Sequence, residues 1–146
     1  MAEKFKIRLV DASDDYIRDT LSEMHEEVFE DAAPIPNFDI GDWWLASNGR
    51  ELVGFCGLTS STYLPNTGYL KRAAVRQNYR GHGLQRRMIA VRMQHARREN
   101  YHAVYTDTAV FNVRSSNNLF RAGFELFRPN PIWSGEEFLY WRKRCD

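Results

Sequence analysis

The chain has 146 residues, of which 43% are hydrophobic and 27% are charged, and its formal net charge at pH 7 is +1. This length fits one domain that needs no disulfide or metal to fold, so we expect a single domain over residues 1–146. Cys56 and Cys145 lie far apart without His or Cys at ligand spacing, which argues against a disulfide framework and a metal site. No apolar run has the length of a signal peptide or a membrane span. We therefore expect a cytoplasmic monomer or homodimer with no membrane partner.

The beginning of the chain predicts a strand followed by a helix. Residues 5–10 have a strand-like pattern. Ser13, followed by Asp14 and Asp15, has the pattern of a helix start, with a capping hydroxyl and acidic residues in the first turn. Apolar residues then recur with the spacing of one buried helical face, at Ile17, Leu21, Met24 and Val28. The proline-containing segment 33–36 predicts a loop after this helix.

The next part of the chain predicts three strands. Residues 43–47 and 52–59 flank Asn48-Gly49, which is the preferred two-residue turn between paired strands, and so predict a hairpin. A further turn at residues 64–68 leads into a third strand over residues 69–75.

The second half of the chain predicts alternating helices and strands. After a glycine-containing turn, one helical face is formed by Leu84, Met88, Val91 and His95. Further elements are predicted as a strand at residues 102–108, a short helix at 115–121 ended by Gly123, and strands at 125–127 and 137–141. The order β-α-β-β-β-α-β-α-β-β predicts an α/β domain with a mixed sheet flanked by helices.

Opposite charges are concentrated in different parts of the chain. Residues 1–50 contain twelve acidic residues and five Lys or Arg, whereas residues 71–98 contain nine Lys or Arg and no acid. A basic segment suits an anionic ligand, and an acidic segment suits a cationic one. The alternative is that both segments are solvated helix faces.

The turn Arg80-Gly81-His82-Gly83 joins a predicted strand to the arginine-rich helix. Glycines at a helix start let a ligand approach the backbone, where free N–H groups and the helix dipole favour phosphate. We therefore expect a phosphate-bearing ligand here. The dinucleotide pattern G-x-G-x-x-G does not match here, because its third glycine would fall at Arg86. The alternative is an ordinary glycine-rich loop that connects a strand to a helix.

Three features together resemble the GNAT superfamily of acyl-CoA-dependent N-acetyltransferases. The family's Arg/Gln-x-x-Gly-x-Gly/Ala motif matches Arg80-Gly81-His82-Gly83-Leu84-Gln85, after a strand that ends in Ala73-Ala74-Val75. Asn112 and residues 119–124 resemble the family's Asn and Leu-Tyr…Gly-Phe element, and the order of elements agrees over nearly the whole chain. The resemblance implies one GNAT-like domain with a mostly antiparallel sheet of about six to seven strands.

The resemblance implies acetyl-CoA as the cosubstrate. In the family, backbone N–H groups of the motif hold the pyrophosphate of coenzyme A, which would here be those of Arg80, Gly81, His82, Gly83, Leu84 and Gln85. The pantetheine arm pairs with the fourth strand like an added strand, here at Ala73, Ala74 and Val75. Asn112 is expected to bind the cofactor as well.

The resemblance also implies direct transfer of an acetyl group to a primary amine in a ternary complex. The amine belongs to a small molecule or to a protein, and a base must take its proton because amines titrate near ~10.4. The family often uses a carboxylate five residues before the asparagine, which is Asp107 in this chain. We expect Asp107 to act through a water. The alternative is that Asp107 caps a turn or pairs with an arginine.

Two positions depart from the family pattern. Gln85 stands where glycine or alanine is usual, which a backbone contact should tolerate. The tyrosine that commonly protonates the thiolate of coenzyme A would fall at Leu119, and neither Leu119 nor Phe120 has a hydroxyl. Either Tyr69 or Tyr105 replaces it, with Tyr69 the catalytic candidate, or the thiolate leaves without an acid. Tyr69 could instead be a strand aromatic that only packs.

The acceptor site is predicted only in outline. In the family it is shaped by the first helix and the region after it, which here contains Trp43-Trp44 and a series of acids: Asp14, Asp15, Asp19, Glu23, Glu26, Glu27 and Glu30. Acids and aromatics there would favour a cationic amine. The alternative is a solvated helix face and a buried tryptophan.

Two rival functions stay open. A non-catalytic acyl-CoA-binding protein would keep the fold and the cofactor turn but lack transfer, consistent with the missing tyrosine. A nucleic-acid-binding module would use the arginines of one helix, Arg86, Arg87, Arg92, Arg97 and Arg98. The net charge near zero and the acidic N-terminal part argue against nucleic acid as a partner.

Overall fold

The computed structural model describes residues 4–30 and 32–146, and it has the predicted order of strands and helices. The described residues form seven strands: β1 (Lys6–Val10), β2 (Asp42–Ser47), β3 (Leu52–Ser60), β4 (Thr67–Val75), β5 (Ala103–Ala109), β6 (Glu125–Phe127) and β7 (Phe138–Arg144). They also form three α-helices: α1 (Asp15–Phe29), α2 (Leu84–Arg98) and α3 (Val113–Arg121). A single turn of 3-10 helix lies at Gln77–Tyr79.

The strands form one mixed sheet with the order β1-β2-β3-β4-β5-β7-β6. Only β4 and β5 pair in parallel, and every other described pair of neighbours is antiparallel. Parallel pairing requires a crossover between the two strands, and α2 supplies it. After α3, the chain forms β6 at the sheet edge and then returns as β7 beside β5. The predicted α/β class, with a mostly antiparallel sheet, is confirmed.

Both faces of the central strands are covered by helices. On one face α1 packs through Leu21 and Met24 against a cluster that includes Trp43. On the other face α2 packs through Met88 against a cluster that includes Trp44. Because neighbouring side chains on a strand face opposite ways, the two adjacent tryptophans belong to different clusters. None of the helices in the described part of the chain has the length and apolar character needed to cross a membrane.

Helix α1 starts one residue later than predicted. Its N-cap is Asp14, whose carboxylate accepts a hydrogen bond from the N–H of Ile17 at 3.1 Å. The Ser13 hydroxyl does not cap the helix and instead donates to the Asp11 carboxylate at 2.6 Å. The prediction placed the cap at the wrong one of two suitable residues, because the competing acceptor at Asp11 is not part of the helix-start pattern. The predicted buried stripe of α1 is confirmed.

The β2–β3 hairpin is confirmed, but its turn is longer than predicted. Ser47 pairs with Leu52, so residues 48–51 form the connection. The Asn48 side-chain oxygen accepts hydrogen bonds from the N–H groups of Arg50 and Glu51, at 2.9 Å each. Asn48 therefore acts as a turn-stabilising side chain at the start of a four-residue loop, and not as the first position of a two-residue turn.

Strand β4 contains a bulge at Arg72. Cys56 lies opposite Ala73 and Gly57 lies opposite Lys71, so Arg72 has no partner on β3. Its φ of 45° is in the left-handed region that most residues avoid. The bulge interrupts the alternation of side chains along β4.

Candidate active site

Strands β4 and β5 pair over only part of their lengths, and the wedge between the rest opens into a cavity. Parallel pairing begins with Thr67 opposite Ala103 and ends with Tyr69 opposite Tyr105. Beyond that point, the edge of β4 facing β5 pairs with no described strand, which suits an extended ligand that adds like another strand. The cavity has a volume of about 790 Å³ and is lined by residues from both faces of the sheet.

Asp107 lies on the wall of this cavity within a network of hydroxyl groups. The hydroxyls of Tyr69 and Ser134 both donate hydrogen bonds to Asp107 Oδ2, that of Ser134 at 2.8 Å. Burial and the neighbouring Asp107 raise the pKa of Tyr69 far above its usual value, so its hydroxyl keeps its proton. Asp107 Oδ1 makes no hydrogen bond to the described residues. The carboxylate is thus held through one oxygen while the other is available to a ligand or water.

The glycine turn leads directly into α2 and leaves its N-terminus open. Gly83 is the N-cap residue in the left-handed conformation with φ 78°, and no side chain caps the helix. A Cβ atom added at Gly81 or Gly83 would meet no atom within 4 Å. Arg80 Nε donates to the Val75 carbonyl at 3.1 Å, which ties the turn to the end of β4. Uncapped N–H groups, the helix dipole and open space together make a site suited to phosphate.

The predicted site residues fall into three groups. Those that line the cavity are Tyr69, Ala73, Gln85, Asp107 and Asn112. Those with buried side chains are Ala74, Val75 and Leu84. Those exposed at the turn are Arg80, Gly81, His82 and Gly83. Asn112 also has a structural role, since its side-chain oxygen accepts the N–H of Ser115 at 3.2 Å and caps α3.

Of the two tyrosines predicted to replace the missing thiolate acid, only Tyr69 lines the cavity. The ring of Tyr105 instead makes an edge contact with Phe127 at 5.4 Å between centroids. Leu119 is buried beside the cavity, and Phe120 is 71% exposed. The structure therefore leaves Tyr69 as the tyrosine closest to Asp107 and the wedge.

Several cavity residues were not predicted from the sequence. Ser134 comes from the β6–β7 connection, where no sequence signal marks it as a partner of Asp107. Lys71 and Arg72 lie at the bulge, and no short pattern predicts a bulge between them and β3. Arg92 could have been found, because it falls four residues after Met88 and four before Ala96, both fully buried on α2.

The arginines of α2 do not form one exposed basic face. Arg92 is buried, and it donates to the carbonyls of Met88 at 3.0 Å and Gly57 at 3.2 Å. Arg87 donates to the Phe5 carbonyl and Arg97 to the Cys145 carbonyl. These contacts hold α2 to other elements, and they weaken the nucleic-acid reading of this helix.

The acidic residues of α1 lie away from the cavity. None of the seven acids in this region lines it among the described residues, and Glu27 forms an ion pair with Arg76 at 2.8 Å. Trp43 lines the cavity, whereas Trp44 is buried on the opposite face of the sheet. The cavity lining therefore does not support the expectation that acids of α1 attract a cationic amine.

One cluster in the described chain has the spacing of metal ligands: Asp42, His95 and Glu99, whose ligand atoms lie within 4.8 Å of one another. His95 Nε2 is 2.8 Å from Asp42 Oδ2 and 3.5 Å from Glu99 Oε1. These contacts account for the cluster as a hydrogen-bonded link between β2 and the end of α2. The cluster is not part of the cavity lining.

Comparison with known proteins finds one matching family model and several proteins of similar fold. Residues 12–124 match the model of the acetyltransferase (GNAT) family. A search of curated sequences finds no significant match. The fold is similar to that of an acetyltransferase of the GNAT family from Staphylococcus aureus, with a TM-score of 0.74 at 17% identity, covering 98% of this chain and 100% of the other.

Two further solved structures have the same fold. The IAA acetyltransferase of Bacillus cereus has a TM-score of 0.76 at 13% identity, covering 97% of this chain and 99% of the other. A Bacillus subtilis acetyltransferase in complex with CoA has a TM-score of 0.69 at 14% identity, with the same coverages of 97% and 99%. At these identities the likeness concerns the fold.

Proposed function

The chain belongs to the GNAT acetyltransferase family, and we propose that it transfers an acetyl group from acetyl-CoA directly to a primary amine. The observation that carries this proposal is the wedge between β4 and β5, whose wall holds Asp107 with one carboxylate oxygen available. The wedge can bring a thioester and an amine together, and the carboxylate supplies the base that the reaction needs.

Coenzyme A fits the features around the wedge. The uncapped N-terminus of α2 and the N–H groups from Arg80 to Gln85 would hold its pyrophosphate. The pantetheine arm is an extended chain of amides, and the edge of β4 at Ala73–Val75, which pairs with no described strand, offers it backbone partners besides the Val75 carbonyl that accepts from Arg80. Asn112 lines the same cavity and completes the cofactor side of the proposed site.

The chemistry assigned to this chain is proton handling at Asp107 and Tyr69. A primary amine is mostly protonated at neutral pH, so Asp107 takes its proton through Oδ1, directly or through a water. Tyr69 donates a hydrogen bond to the same carboxylate and is protonated at neutral pH because of burial. We propose that, as the thiolate departs, the Tyr69 hydroxyl turns from the carboxylate to the sulfur and gives it its proton, while the proton that Asp107 took from the amine is passed to the tyrosine oxygen. This relay replaces the tyrosine that is absent at Leu119.

A calorimetric titration with acetyl-CoA tests the cofactor site. Wild-type protein should bind with micromolar affinity, and Gly83→Glu should lose binding because a carboxylate would meet the pyrophosphate. Gly49→Glu is the matched control: Gly49 also has positive φ, 91°, and open space around an added Cβ, but it lies in the β2–β3 turn. This control should bind acetyl-CoA like wild type. Absence of binding in wild type would overturn the proposal, and binding should be followed by assays of free-thiol release with amines.

A further inference from the structure

The positive side chains of the cavity outnumber its acids. Among the described residues that line it, Asp107 is the only carboxylate, whereas the cations are Lys71, Arg72 and Arg92. A cavity shaped for a purely cationic amine would place several acids against the ligand, and this one does the reverse. The charge of the lining therefore favours an amine that also carries a negative group.

Lys71 and Arg72 lie on the same face of the sheet as Asp107. Lys71 is paired with Gly57, which faces Trp43 on the α1 side. The bulge brings the next side chain to this side too, since Arg72 Nε donates to His25 of α1 at 3.2 Å. Consecutive strand residues normally face opposite ways, so the bulge doubles the positive charge of this face. Tyr69 lies two residues before Lys71 and therefore faces the same side of the sheet. Its hydrogen bond to Asp107 places that carboxylate on this side as well.

Neither cation has a carboxylate partner in an ion pair within the described chain. Arg72 donates only to neutral acceptors, His25 Nε2 and the Pro34 carbonyl. Lys71 makes no hydrogen bond or ion pair with the described residues. Burial, and secondly Arg72, lower the pKa of Lys71, and burial lowers that of Arg72, so both charges are partly desolvated, although the nearby Asp107 opposes both shifts. An anion placed between them would relieve this cost.

These cations are separate from the proposed phosphate site. The start of α2 packs through Leu84 and Met88 on the sheet face that carries Leu58 and Cys56. Lys71 and Arg72 lie on the opposite, α1 face. Coenzyme A held at the α2 turn would therefore leave them to the acceptor.

We propose that the acceptor is an amino carboxylate, such as an amino acid, whose carboxylate is bound by Lys71 and Arg72 while its amine faces Asp107. This inference rests on the proposed acetyl transfer and names its substrate class. A carboxylate one or two carbons from the amine keeps both groups within one small ligand. The two cations then orient the amine toward the wedge, where the thioester would lie.

Matched acceptors test the inference directly. Free-thiol release would be measured for a panel of amino acids and for the corresponding amino acid amides, which replace the carboxylate with a neutral carboxamide, and kcat/KM would be expressed per concentration of free amine because the amide also has a lower amine pKa. For at least one amino acid, kcat/KM should exceed that of its amide by about 10- to 100-fold, as expected for loss of a charged hydrogen bond. Equal use of acids and amides, or preference for amides and diamines, would overturn the inference and leave the acetyl transfer standing.

Variants at Lys71 test whether this residue causes the preference for amino acids over their amides. Lys71→Met should raise KM for the amino acid about tenfold or more while changing kcat/KM for its amide much less, and Lys71→Arg should restore most of the preference. Lys6→Met, which removes an exposed lysine from β1, should behave like wild type. A loss of activity toward acid and amide alike would indicate a structural role for Lys71 and contradict its role in carboxylate binding.

A readout without turnover separates the two proposals. Calorimetry of the protein–CoA complex would compare an N-acetyl amino acid with its N-acetyl amide. Tighter binding of the acid, lost in Lys71→Met, supports the inference even if no transfer is detected, and in that case the transfer proposal alone fails. Equal affinities overturn the inference whether or not transfer occurs.

Discussion

At the scale of single residues, the surroundings of Asp107 hold one of its two oxygens and leave the other open to the cavity. Tyr69 and Ser134 both donate to Oδ2, which fixes the orientation of the carboxylate. Oδ1 is left to the cavity. The raised pKa of Tyr69 keeps its hydroxyl protonated, so it remains a hydrogen-bond donor to Asp107 at neutral pH.

Replacing this carboxylate by an amide tests its role as a base. Asp107→Asn keeps the size of the side chain but cannot take a proton from the amine, so kcat should fall by about 10²- to 10⁴-fold. Affinity for acetyl-CoA, measured by calorimetry, should stay close to that of wild type. Ser134→Ala removes one donor to the carboxylate and should cause a smaller loss. An unchanged rate across the neutral pH range would remove Asp107 from the catalytic residues.

At the scale of secondary-structure elements, the start of α2 differs from the starts of the other two helices. Asp14 caps α1 and Asn112 caps α3 with side-chain oxygens, whereas α2 begins at Gly83 without a side-chain cap. An uncapped helix start costs stability unless water or a ligand satisfies its N–H groups. The missing cap at α2 is therefore consistent with a ligand site, while the other two starts have their own acceptors.

Variants at Asn112 separate helix capping from ligand binding. Asn112→Ala should lower the free energy of unfolding by ~0.5–2 kcal/mol, since it removes the cap. Asn112→Asp keeps a capping oxygen and should retain stability, but its charge should weaken acetyl-CoA binding by about tenfold. Asp14→Ala, which removes the α1 cap, should match the stability loss of Asn112→Ala without changing affinity. Urea unfolding and calorimetry measure both quantities, and full affinity in Asn112→Asp would exclude Asn112 from the cofactor site.

At the scale of the whole molecule, a buried histidine links α1 to the bulge of β4. His25 is fully buried, and Arg72 Nε donates to its Nε2, so the ring is neutral with its proton on Nδ1. Burial first, and then the charge of Arg72, lower the pKa of His25. Protonation would remove the acceptor for Arg72 and place two positive charges in contact.

This histidine should make the protein less stable in mild acid. Because the folded-state pKa lies below the unfolded value of ~6.5, the unfolded chain binds the proton more readily. The free energy of unfolding should therefore fall as pH drops below ~6.5 and continue to fall until the folded-state pKa is passed. Urea unfolding at neutral and mildly acidic pH measures this slope. His25→Gln keeps a neutral acceptor and should flatten it, and an equal slope in both proteins would contradict the assignment.

The sequence by itself determined the order of elements and the glycine turn at the start of α2. The spacing of Leu21 and Met24 predicts a helical face because that information lies within a few turns of chain. The turn at Gly81 and Gly83 is likewise local, since glycine is needed where φ is positive before a helix. The family resemblance, not local spacing, singled out Asp107, which the structure places on the cavity wall.

Only the tertiary structure decided how distant segments meet. Tyr69 and Asp107 are 38 residues apart, and Ser134 joins them from the β6–β7 connection. The wedge depends on where β4 and β5 stop pairing, and the side on which Arg72 lies depends on the bulge opposite Gly57. The burial of Arg92 depends on carbonyls supplied by neighbouring strands. Such features follow from strand register and packing between segments far apart in sequence, which no short pattern encodes.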